Sequence, residues 1–272
     1  MKFRPAWGLL LVSLTPGPGL GDDAADAPRR PDRVTPLFNG RDLAGLTTWL
    51  EDARRDDPRR VFTVAPDGSL RISGDGFGYV GTARPYRDYR LVVEYRWGER
   101  TAGKSVRNSG ILLNAVGPDG GVRNTWMPSV EVQLAQGCVG DLVVIRNDPA
   151  EVPGATPVRF TADSADGPDG HPRWRAEGGA PRTFESGQFW WTRHDPEFGE
   201  QLDTRGRDDV ESPKGEWTRV ECTVDGDRIA VRVNGVLVNE CRAVSPAGGG
   251  RILLQTEGSE LFVRAFELHP LR

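Results

Sequence analysis

The 272-residue chain carries 35 basic and 39 acidic side chains for a net charge of −4, with no long block of one sign. That balance excludes a polyphosphate-binding footprint, so no nucleic-acid partner is expected. Its 34 glycines and 21 prolines are spread along the whole length; they interrupt helices and punctuate turns, so the expectation is one all-β domain of many short strands.

In chain order, Lys2 and Arg4 precede the apolar run Ala6–Val12, and Gly19 and Gly21 offer the small residues of a cleavage site. This pattern predicts a signal peptide over residues 1–21, and hence export to the periplasm or beyond. A buried N-terminal strand is the alternative reading. The run is too short to span a bilayer, so an integral membrane protein is not expected. Residues 22–34, rich in Ala, Pro and Asp, read as a flexible linker, leaving 35–272 as the domain.

Leu37–Leu43 holds an Asn39-Gly40 turn, and Ser69–Ser73 and Gly78–Thr82 are short strands between Gly/Asp turns. In Leu91–Trp97, Leu91, Val93, Tyr95 and Trp97 face one way and Val92, Glu94 and Arg96 the other. Gly110–Asn114 and Val130–Leu134 repeat the period, and Leu142–Ile145 is wholly apolar. Residues 147–214 are rich in Pro, Gly, Asp and Arg and read as a long loop insertion, with weak strand signals at Val158–Ala162 and Phe189–Thr192. Five strands close the chain: Thr218–Val224, Arg228–Val233, Val236–Glu240, Arg251–Glu257 and Leu261–Leu268. The whole predicts a β-sandwich or jelly roll.

Cys138, Cys222 and Cys241 are an odd set for an exported chain. The turns at Asp225-Gly226-Asp227 and Asn234-Gly235 put Cys222 and Cys241 on the strands flanking Arg228–Val233, about 9–10 Å apart. That exceeds disulfide reach, so mostly buried thiols are expected.

Chemistry-bearing residues cluster on two strands. Glu131 and Gln133 share one face of theirs, and Gln255 and Glu257 share one face of another. Such a polar floor suits a sugar, because Gln both donates and accepts, although a solvent-facing strand edge would look the same. Trp126 lies in loop-like surroundings, as a stacking surface or as core. His194, among Asp195, Glu197 and Glu200, could be a base or an exposed loop histidine. No metal-ligand spacing, nucleotide-binding fingerprint or nucleophile elbow appears. The Glu131–Gln136 segment also lacks the paired carboxylates of a retaining β-sandwich glucanase.

Six motifs then occur in a meaningful order: Asn108-Ser109-Gly110-Ile111, Met127–Gln133, Gly140-Asp141, Gly215-Glu216-Trp217, Val233-Asn234-Gly235 and Leu254–Gly258. With Leu37–Leu43, they make the chain resemble the 3-keto-disaccharide hydrolase family over roughly residues 35 to 270. It departs from many members at Thr218, where Asn is common, and in Leu134–Gly137, where an Asp is common. The resemblance implies a concanavalin-like jelly roll and cleavage of 3-keto-glycosides: C2 deprotonation, elimination of the aglycone, then water addition. It implies Glu131 and Glu257 as base and acid with His194 as alternative base, and Gln133, Gln255 and Asn108 orienting hydroxyls. A divalent cation could stabilise the enolate, though no sequence feature requires a cofactor. The competing expectations are a non-catalytic, lectin-like carbohydrate-binding sandwich and a purely structural envelope domain.

Overall fold

The computed structural model describes residues 27–195, 197–199 and 201–272. The expected signal peptide and residues 22–26 lie outside the described residues. The remaining part of the expected linker is bound to the domain, a correction to the reading from composition. The Arg29 N–H donates to the Pro85 carbonyl at 3.0 Å, and the Arg29 carbonyl accepts from the Arg87 N–H at 2.9 Å. Pro31 is buried, and the Arg30 guanidinium grips Asp88 at 2.6 Å. Backbone pairing and an ion pair supply here what few apolar side chains cannot.

The described residues form two antiparallel sheets and no helix. Edge to edge, the larger sheet runs Pro172–Trp174, Arg159–Asp166, Val236–Ser245, Arg228–Val233, Thr218–Asp225, Tyr89–Trp97, Leu261–Pro270, Leu70–Ile72, Phe62–Val64. Thr35–Pro36 and Ala180–Phe184 attach at its flanks. The smaller sheet runs Gly187–Phe189, Leu142–Ile145, Ser129–Gln133, Gly110–Ala115, Arg251–Glu257, Phe77–Thr82, Leu46–Leu50.

The core lies between the sheets. Leu91, Val93, Tyr95 and Trp97 meet Val80, Ile111, Val130, Val132 and Leu254 there, all of them buried. Each such aliphatic side chain contributes about 1.5–3 kcal/mol, which forces the strand register that sends Glu131 and Gln255 the opposite way. Asn234 and Gly235 both have positive φ, at 48° and 82°, the tight hairpin turn that their types favour. Cys222 pairs with Val231 and Cys241 with Ile229, so the two thiols sit on strands separated by a third, buried and unbridged.

Residues 147–214 are more ordered than a loop. Arg159–Asp166 buries Phe160, Ala162 and Ser164 and pairs with Val236–Ser245, while Gly187–Phe189 extends the smaller sheet beside Leu142–Ile145. The insertion therefore reaches both sheets, and this fixes where His194 emerges. No helix of the described residues is long and apolar enough to cross a membrane.

Candidate functional site

The outer face of the smaller sheet has two halves. In one, Tyr79, Leu112, Ala115, Met127 and Leu253 form a second apolar cluster with Trp49 and Trp126 packed against it. The 116–127 loop is tied down over this half. Asp119 accepts from the Tyr79 hydroxyl and from Arg251, each at 2.7 Å, and the Trp49 indole N–H donates to the Asn124 carbonyl at 3.1 Å. Trp126 belongs to this half and packs on the apolar cluster.

The other half is polar. Glu131 and Gln133 on one strand, and Gln255 and Glu257 on another, share this face, with the Gly110–Ala115 strand between them. The two Glu/Gln pairs thus form one floor. Gly110 makes the approach possible: a Cβ there would overlap Glu131 Oε1 and Gln255 Oε1. The requirement is steric, and only glycine meets it.

Glu131 and Gln255 are 3% and 2% exposed, yet Glu131 Oε1 and Gln255 Oε1 have no hydrogen-bond partner. Asn108 Oδ1, two residues before Gly110, is likewise buried and unpartnered. Buried acceptors normally find donors, so three orphans, two on the strands flanking Gly110 and one in the segment leading into its strand, mark a place where a donor-rich ligand belongs. Burial first, and the nearby Glu257 second, push the Glu131 carboxyl up to about 8, with the Gln255 side chain opposing the rise. Burial also raises Glu257, while Lys104 opposes it. At neutral pH Glu131 therefore holds a proton.

Gln133 and Asn108 continue from this floor into a cleft of about 350 Å³ also lined by Gln188, Trp190, His194 and Phe198. The Gln133 side-chain oxygen, Oε1, accepts from the Leu134 and Ala135 N–H groups, at 2.9 and 3.0 Å.

His194 sits on the cleft wall. Its Nδ1 lies 3.0 Å from Asp141 Oδ2, and Asp141 is fully buried. That carboxylate also accepts from the Trp191 N–H at 2.7 Å and the Gln188 amide at 2.8 Å. Burial pushes the Asp141 carboxyl up, and the His194 ring, the Trp191 amide and the Gln188 amide counter that rise. A proton on Nδ1 completes this set and leaves the Nε2 lone pair to act as a base. The sequence reading named His194 but neither Asp141 nor Gly110 for a role. Both stand in its motifs, and Asp141 lies 53 residues from its partner.

Among the described residues no group of three or more His, Cys, Asp and Glu side chains is placed to hold a metal ion.

A family model described as the 3-keto-alpha-glucoside-1,2-lyase-like domain matches residues 33–269. Comparison with curated protein sequences returns no match. Two solved structures of candidate glycosyl hydrolases from Parabacteroides distasonis ATCC 8503 are similar at 17% identity, with TM-scores of 0.48 and 0.49. The alignments cover 89% and 88% of this chain and 95% and 100% of those. The carbohydrate binding module CBM66 from Bacillus subtilis is similar at 11% identity and a TM-score of 0.46, over 83% of this chain and 95% of that one.

Proposed function

The chain belongs to the 3-keto-alpha-glucoside-1,2-lyase-like family, and from that premise we propose that it cleaves 3-keto-glycosides by elimination, with His194 as base and Glu131 as acid. The observation that carries the proposal is the set of three orphaned acceptors, Asn108 Oδ1, Glu131 Oε1 and Gln255 Oε1. They adjoin a cleft whose wall bears an imidazole held by a buried carboxylate.

A ketone at C3 acidifies the C2 hydrogen. His194 Nε2 takes that proton, and the electron pair forms the C1–C2 double bond as the C1–oxygen bond breaks. Glu131 gives its proton to the departing oxygen, so the aglycone leaves neutral. Water then adds at C1, with Glu131 taking its proton and the His194 imidazolium returning one to C2. The net reaction is hydrolysis. This reverses the roles the sequence favoured: a carboxyl raised to about 8 is protonated at neutral pH and suits an acid better than a base. Gln255, Asn108 and the Gln133 amide orient hydroxyls, and Glu257 keeps the Glu131 proton in place. Export through residues 1–21 belongs to the same proposal.

A chromogenic 3-keto-glucoside and its unoxidised parent separate the readings. The proposal expects aglycone release from the keto-sugar alone. Binding of unoxidised glycans with no turnover of either compound would instead support a lectin-like sandwich.

A further inference from the structure

We infer that Trp190, clamped by Arg173, is a positioning residue that sets the ring plane of His194. The inference rests on His194 being the base. The Asp141 hydrogen bond fixes the position of Nδ1 but leaves the imidazole able to tilt about that contact. Its plane is fixed by the indole of Trp190, which stacks on it with centroids 3.9 Å apart and planes 9° apart. A base whose lone pair must meet a C–H bond depends on such alignment, and small misplacements cost catalysis heavily.

The indole is itself held. The Arg173 guanidinium lies 5.0 Å from the Trp190 ring centroid, and its side chain is 3% exposed. Asp169 fixes that guanidinium through two bonds of 2.6 and 2.9 Å, and the His171 carbonyl accepts from it at 3.3 Å. A side chain at Gly167 would overlap the Arg173 guanidinium, so the turn leaves room for it. The Trp190 carbonyl accepts from the Trp174 N–H at 2.9 Å, and the His171 ring adds a contact at 4.5 Å. With Arg173, His171 and His194 all against it, the indole is a support for the base rather than a stacking surface for sugar. The clamp comes wholly from the 147–214 insertion, which gives that insertion a catalytic purpose.

The test compares Trp190→Leu, Trp190→Phe and Arg173→Met on a chromogenic 3-keto-glucoside, with proton NMR of the histidine rings. The chain has only three histidines, so the His194 signals can be assigned by difference. Trp190→Leu should lower kcat by about 10- to 100-fold with little change in KM. It should also abolish the upfield ring-current shift of the His194 ring protons, while Trp190→Phe keeps most of both. Arg173→Met should broaden the His194 signals and lower kcat less. Native kcat or native His194 shifts in folded Trp190→Leu would overturn the inference. If that variant does not fold, native signals and native kcat in Arg173→Met would overturn it. His194→Asn separates the two claims: native turnover there removes the base assignment itself. Lost turnover there beside native turnover in Trp190→Leu removes only the positioning role.

Discussion

Glu131→Gln is expected to lower kcat on a 3-keto-glucoside by about 10²- to 10⁴-fold, the usual worth of a positioned general acid. Gln has the same shape and keeps the packing over Gly110, but it has no acidic proton to give to the leaving oxygen. The same variant carries a stability signature. Glu131 and Glu211 are both raised from 4.5 to about 8, mainly by burial. Glu211 accepts there from the Tyr95 hydroxyl and the Trp97 indole, at 2.6 and 2.5 Å. Between those values the folded chain keeps protons that the unfolded chain has released. Stability is therefore greatest at the acid end of that window and falls as pH rises through it. Thermal unfolding from pH 5 to 8 should show Tm falling in the native chain and falling less steeply in Glu131→Gln, with Glu211 and the other raised carboxyls, Asp141, Asp209 and Glu257, supplying the remaining slope. Native kcat in Glu131→Gln would remove Glu131 from the chemistry.

His194→Asn should cost a comparable factor, and Asp141→Asn should follow it by about 10²-fold or more, by a different route. Asp141 takes three donors on its two oxygens. An Asn there turns its own N–H groups toward at least one of them. With its oxygen kept toward His194 and Gln188, its amide faces the Trp191 N–H, a buried donor–donor clash worth about 1–3 kcal/mol. The alternative flip presents donors to His194 and moves the ring proton to Nε2, where it blocks the base. Aglycone-release kinetics with Tm measured in parallel tell these apart. A lowered Tm with intact kcat would make Asp141 structural only.

Much of the fold was legible because strand alternation is a short-range signal. Leu91–Trp97 and the five C-terminal strands follow directly from their period and turn residues. The shared face of Glu131 with Gln133, and of Gln255 with Glu257, was legible for the same reason. That the two pairs form a single floor depends on Gly110–Ala115 lying between their strands, a long-range pairing that no local pattern encodes. The strand Arg159–Asp166 was legible only as the weak signal at Val158–Ala162, because its second half mixes Asp and Ser with few apolar residues. The His194–Asp141 pair was hidden because its members come from separate elements, and the residues 27–31 contact because backbone bonds and one ion pair hold it. The resemblance supplied the expected substrate class, and the raised Glu131 carboxyl is what moves the proposed base from carboxylate to imidazole.

The central claim is that the C2–H bond breaks during glycoside cleavage. It is tested most directly by comparing kcat/KM for a freshly prepared chromogenic 3-keto-glucoside carrying hydrogen or deuterium at C2. Slower aglycone release from the deuterated sugar, together with no release from the unoxidised parent, is the expected result. Equal kcat/KM for the two isotopologues, with equal cleavage of the unoxidised parent, would contradict it.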